Sequence, residues 1–208
     1  SVNNLRGILS QSERPLMWLG HGIRLAGAVD LIEPFLDKLG IPALVSWQGI
    51  DMIDSNHPLI IGRAGVYGQR AANFALQNCD FLLAIGTRLA IPQIGYEINE
   101  FAREARIAMV DIDPDEIKKF SSRIDLPICA DARLFFQKFL EIGRVKKTAK
   151  VLSWKKQCQV YNERFPIINK EHEDKNGYIN SYAKKFIQFK PNNHIILFYF
   201  GFVVLDIL

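Results

Sequence analysis

QRAANFALQNCDFLLAIGTR, residues 69–88, is the stretch whose reading decides the fold. Residues 69–78 (QRAANFALQN) read as a short helix. Phe81–Ile85 (FLLAI) is apolar at every position and reads as a strand, which Gly86-Thr87-Arg88 ends in a sharp turn carrying a hydroxyl and a guanidinium. A strand apolar on both faces and fed by a helix belongs in a parallel sheet covered on both sides.

The same alternation runs outward in both directions. Upstream, Pro15–Leu19 (PLMWL) reads as a buried strand that breaks at Gly20-His21-Gly22. Residues 27–39 follow with Val29, Ile32, Leu36 and Leu39 at helical spacing, Gly40 stops that helix, and residues 42–47 (PALVSW) form the next strand. Residues 62–69 (GRAGVYGQ) are glycine-rich but lack the Lys and Ser/Thr of a phosphate loop, and read as a folded loop leading into the helix at Arg70. Downstream the pattern predicts a helix over 98–105, a strand over 107–112 (IAMVDI), a helical turn over 115–120, a strand at Leu126–Cys129 and a closing helix over 131–142 capped by Gly143. The expected fold class is α/β: a doubly wound parallel sheet of about six strands, Rossmann-like. Ligands of such sheets lie beyond the carboxyl ends of the strands, so the loops after Leu19, Trp47, Ile85, Ile112 and Cys129 are where function should be sought.

Composition narrows the classes. Hydrophobic residues make up 49% and charged residues 23% of 208, a globular balance. No apolar run reaches the ~18 residues of a membrane span, and SVNNLRGILS carries no secretory signal pattern. Cys79, Cys129 and Cys158 lie far apart with no C-x-x-C pair, which fits a reducing cytoplasm and excludes a cysteine zinc site. Residues 1–143 carry 14 Lys and Arg against 17 Asp and Glu, whereas residues 144–208 carry 12 against 5. A nucleic-acid binder would not leave its best-folded part acidic, and the split suggests two pieces with different jobs.

The individual signals each have a functional and an ordinary reading. Gly20, His21 and Gly22 follow a strand and precede a helix, so their amides could meet a phosphate, with Arg24 adding a bidentate fork. The G-x-G-x-x-G fingerprint is absent, since position 25 is Leu, and a tight turn is the ordinary reading. Gly86, Thr87 and Arg88 would wall the same crevice, while Asp111 and Ile112 end a strand where a carboxylate could accept from a ribose hydroxyl. Asp113 reads as the cap of a helical turn that opens on Pro114, and Asp131 has both a ligand and an N-cap reading. His21, His57, His172 and His194 form no metal-binding spacing, and no G-x-S-x-G elbow is present. These residues alone describe a nucleotide-binding-like domain without a nucleophile and base.

The run 62–89 (GRAGVYGQRAANFALQNCDFLLAIGTRL), together with GHGIRLAGA, HPLIIGRAGVYG, DIDPDEI and the CAD turn, resembles the middle domain of thiamine-diphosphate-dependent enzymes of the acetolactate synthase type. The likeness covers residues 1–143 and continues more faintly through a basic helical linker, 144–176, into GYINSYAKKFI, where 177–208 resembles an incomplete start of the C-terminal cofactor-binding domain. GTRLAIPQIGYEI is closer to relatives that look like enzymes of surface-polysaccharide sugar metabolism. The resemblance implies a lyase or transferase of three α/β domains, a homodimer or tetramer in its full-length form, with no nucleic-acid or membrane partner. In that family the first domain supplies a glutamate, and the third holds thiamine diphosphate through magnesium with a Gly-Asp-Gly…Asn-Asn motif. The middle domain holds FAD, ADP or nothing. Asn192-Asn193 has no Gly-Asp-Gly before it, and 195–208 (IILFYFGFVVLDIL) reads as a core strand deprived of its neighbours, as in a truncated, frame-shifted or deliberately cut gene. The chain is therefore expected to be catalytically inactive by itself. A stand-alone ADP- or FAD-binding module and a dimerisation spacer stay open as alternatives.

Overall fold

The computed structural model describes residues 2–141 and 148–167. Six strands, β1 (Pro15–Leu19), β2 (Ala43–Val45), β3 (Ile60–Gly62), β4 (Phe81–Ile85), β5 (Arg106–Asp111) and β6 (Leu126–Cys129), form one sheet in the order β3-β2-β1-β4-β5-β6. Every neighbouring pair is parallel, and β1 and β4 run in register from Pro15 beside Phe81 to Leu19 beside Ile85. This is the doubly wound arrangement, with its topological switch between β1 and β4.

Strand side chains alternate between two cores. On one side Met17, Leu19, Leu83 and Ile85 meet α1 (Val2–Gln11), α3 (Ile32–Leu39) and α7 (Ala132–Glu141) through Leu5, Phe35, Leu36, Phe136 and Phe139. On the other, Leu16, Trp18, Leu82 and Ala84 meet α4 (Arg70–Asn78) and α8 (Ala149–Arg164) through Ala72, Ala75, Leu76, Trp154 and Cys158. Two covered faces are why Phe81–Ile85 has no polar position. Helix α3 buries Ile32, Phe35, Leu36 and Leu39, the i, i+3, i+4, i+7 stripe of a core-facing helix, and ends on Gly40 at φ +63°.

Strands β1, β4, β5 and β6 and helices α4 and α7 stand within a residue or two of their expected places. Helix α1, which buries Leu5, Ile8 and Leu9, and the three-residue edge strand β3 add to the expected elements. The helix expected over 98–105 is corrected: helical geometry there is confined to a 3-10 turn, Ile98–Glu100. Ala102 takes φ +43°, which turns Phe101 inward to meet Trp18 at 6.1 Å between ring centroids. Arg123 then donates to the carbonyls of Phe101, Ala102 and Ala105, the first of which a helix over this span would have used internally.

Helix α8 packs chiefly along α4, with the Trp154 indole N–H donating to the Pro15 carbonyl at 3.0 Å. Thr148 caps it by accepting from the Val151 N–H at 3.2 Å. Among the described residues no helix is long and apolar enough to cross a membrane. The expected cap at Gly143, residues 144–147 of the linker, and the whole of 177–208 with the strand read at 195–208 lie outside the described residues.

Candidate functional site

The crevice is built by the loops that leave β1 and β4 at the switch point, and these loops touch backbone to backbone. The Gly20 N–H donates to the Ile85 carbonyl (2.8 Å) and the Gly22 N–H to the Gly86 carbonyl (3.0 Å). A Cβ on Gly20 would lie 2.1 Å from the Gly86 oxygen, so only glycine permits this approach. Those two amides are therefore committed to the sheet. An anion at this loop would be met by side chains and not by Gly20 or Gly22.

His21 Nδ1 lies 3.0 Å from the Gln48 carbonyl, and since a carbonyl only accepts, the imidazole carries its proton on Nδ1. Arg24, in the short helix α2 (Gly22–Leu25), donates to Asp51 and ties this loop to the one after β2. Across the crevice Gly86 (φ +58°), Arg88 (φ +58°) and Leu89 (φ +46°) make a left-handed turn in which two members are not glycine. Thr87 is buried, and its Oγ1 accepts from the Leu89 N–H at 3.3 Å, which holds the turn closed. Non-glycine residues held in this region cost energy, and such strain concentrates at functional sites.

Arg88 reaches from the turn to Glu116 of α6 (Pro114–Lys118), donating through Nη2 at 2.7 Å, and Lys119 Nζ lies 2.7 Å from the same carboxylate oxygen. Hydrogen bonds from Lys119 and Arg88 hold Glu116 below the usual carboxylate range, and the bond to Glu116 pushes Arg88 up. Sequence reading missed Glu116 and Asp51. Only the Glu116–Lys119 spacing of three was visible there, and it says nothing about Arg88.

Asp111 closes β5 and is 7% exposed. Burial pushes its carboxyl up, and the nearby Glu116 and Asp113 charges add to the shift, while the Asp113 N–H donating to its Oδ1 (3.1 Å) opposes it. A buried acid with a raised pKa at a strand's carboxyl end marks a functional-site candidate. Ile112 beside it is exposed. Asp113 caps α6 by accepting from the Asp115 N–H at 2.8 Å, with Pro114 in the first turn, as its spacing predicts. Asp131 accepts from the Arg133 and Leu134 N–H groups at 2.9 and 3.1 Å and so caps α7. The structure thus brings Gly20 and Gly22 against Gly86 and Thr87, ties His21 and Arg24 to the loop after β2, links Arg88 through Glu116 toward Asp111, and sets Asp131 two residues beyond Cys129, the strand partner of Asp111.

Thiamine diphosphate and magnesium do not fit these residues. Among the described residues no group of three or more His, Cys, Asp or Glu could hold a metal ion. An adenine nucleotide fits in part: Asp111 and Arg88 offer a ribose acceptor and a phosphate donor, while the Gly20 and Gly22 amides are spent.

Comparison with known proteins supplies the family. The family described as thiamine pyrophosphate enzyme, central domain, matches residues 2–139. A probable acetolactate synthase large subunit of Methanocaldococcus jannaschii is 38% identical over 126 residues, which is 61% of this chain and 21% of that protein. The acetolactate synthase isozyme 2 large subunit of Escherichia coli is 35% identical over 118 residues, 57% of this chain and 21% of the relative. The acetolactate synthase large subunit of Parasynechococcus marenigrum is 30% identical over 162 residues, covering 77% of this chain and 26% of the relative. This chain spans between a fifth and about a quarter of the length of these curated relatives.

Proposed function

This chain belongs to the family of thiamine pyrophosphate enzyme central domains, and from that premise we propose the role it plays in a larger acetolactate-synthase-like enzyme. That enzyme is a cytoplasmic lyase or transferase, a homodimer or tetramer, in which other domains hold thiamine diphosphate and magnesium and this one carries the nucleotide-binding-like crevice. Support comes from the match of residues 2–139 to the central domain of thiamine pyrophosphate enzymes and from the likeness to acetolactate synthase large subunits several times its length.

Within that role the crevice seats an adenine nucleotide of the ADP class. One observation carries this reading: the strained turn Gly86 to Leu89 delivers Arg88 toward Glu116 and the buried Asp111 at the switch point. Asp111 would accept from the ribose, and Arg24 and Arg88 would exchange their carboxylate partners for phosphate oxygens. FAD is disfavoured because GTRLAIPQIGY carries no acidic pair followed by a basic residue, the pattern of flavin-holding relatives. Calorimetry with ADP and FAD, on wild type and on Asp111→Ala, tests it. ADP is expected to bind wild type and to lose roughly 1.5–3 kcal/mol, about ten- to hundredfold, in the variant as one charge-assisted hydrogen bond disappears. Equal binding by both proteins removes Asp111 from the site. No heat from either nucleotide would make the domain a spacer, and heat from FAD alone would reverse the choice of ligand.

A further inference from the structure

Away from the switch point, at the carboxyl end of the edge strand β3, a cavity of about 150 Å³ opens between β3, the start of α4 and the end of α8. Its polar lining is Ser55, Arg63, Gln69 and Asn162, and its apolar wall includes Ile60, Ile61 and Phe165. Arg63 is half-buried, and burial lowers its pKa, the mark of a guanidinium short of solvent and of a counter-charge. Among the described residues it makes no ion pair; its backbone alone is bonded, the N–H to Gln69 Oε1 at 3.1 Å and the carbonyl to the Gln69 N–H at 2.8 Å. Two further guanidiniums, those of the exposed Arg70 and Arg164, lie 4.4 and 5.5 Å from the centroid of the Phe165 ring. Neither has a carboxylate partner among the described residues, whereas Arg24, Arg88, Arg103 and Arg133 all do.

A half-buried guanidinium without a counter-charge in the wall of a partly closed space, with two more beside the Phe165 ring, makes a local excess of positive potential that an anion would relieve. The size of the space and its other wall narrow the anion. An engineered cavity of about 150 Å³ takes up benzene, so roughly six heavy atoms fit. A phosphate would press charged oxygens against Ile60 and Ile61, whereas a carboxylate confines its charge to one end and matches a guanidinium fork. We propose that this cavity binds a short aliphatic carboxylate, its charged end answering Arg63 and its hydrocarbon end lying against Ile60, Ile61 and Phe165. The site is separate from the nucleotide crevice, two strands away from the switch, and stands or falls independently of it.

The test is calorimetric titration of the full 208-residue chain with isobutyrate, its neutral amide isobutyramide, and inorganic phosphate, repeated on Arg63→Gln and Arg63→Lys. Isobutyrate is expected to bind wild type, to bind Arg63→Gln roughly tenfold or more weakly, and to fall between these limits with Arg63→Lys, which keeps the charge but loses the fork. Isobutyramide is expected to bind at least about tenfold more weakly than isobutyrate. Should Arg63→Gln fail to fold, the acid-against-amide comparison on wild type decides. No heat from isobutyrate, equal affinity for the amide, affinity unchanged in a folded Arg63→Gln, or tighter binding of phosphate would each overturn the proposal.

Discussion

Asp111 sits where two demands conflict. Its position at the end of β5 suits a hydrogen-bond acceptor for a ligand, yet burial disfavours the charge that makes it a good one. A carboxyl whose folded pKa is raised above the unfolded value of 3.8 adds stability below that value and loses it as pH rises through the folded pKa. At neutral pH the ionised side chain is therefore a cost to the fold. Asp111→Asn keeps the acceptor for the Asp113 N–H and removes the charge. The variant is expected to melt above wild type at about pH 7, with the gap closing as the pH falls toward about 4. Melting curves across that range check this, and a gap that stays constant with pH would show that the charge is not what burial opposes.

Among the elements, what could be read from the chain followed from how each strand and helix is covered. Phe81–Ile85 and Pro15–Leu19 were legible because both their faces are buried, which leaves no polar residue to confuse the pattern. Strand β3 was not, since three residues at a sheet edge carry no period, and the partners Asp51 and Glu116 are set by tertiary approach across the crevice. Residues 98–105 misled because their apolar spacing imitates a helix although a distant arginine takes over the carbonyls. That substitution of partners makes a prediction for this segment. Arg123→Ala takes the arginine donor from the Phe101, Ala102 and Ala105 carbonyls, of which Ala102 keeps the Ala105 N–H, and should cost about 1–3 kcal/mol. Urea denaturation measures it. A loss near zero would mean that water reaches these carbonyls and that the turn stands without Arg123. Asp131 shows the ordinary half of its double reading: Oδ1 of its carboxylate, placed after a strand like a ligand group, caps the first turn of α7.

For the whole molecule the open matter is whether α8 is a basic linker outside the domain or a part of its core. Its surface is rich in Lys and Arg, yet Val151, Trp154 and Cys158 are buried, and the Trp154 indole is hydrogen-bonded to the start of β1. Trp154 and Cys158 share one core with Cys79, Leu76 and Trp18, so α8 covers a sheet face that would otherwise lie open. Burial pushes the Cys79 thiol up to about 12 and the Cys158 thiol up as well, which keeps both protonated and unreactive, while Cys129 is exposed. Trp154→Ala should therefore destabilise the whole domain by roughly 3–5 kcal/mol, the range for emptying an aromatic site in a packed core. In native wild type a thiol reagent at neutral pH should modify Cys129 alone. In the variant Cys79 and Cys158 should become reactive together, because the helix that shields them is the one loosened. Labelling of Cys158 without Cys79, or a variant whose fold melts as wild type does while α8 alone unravels, would place the helix outside the cooperative unit and make it the linker that its charge suggests.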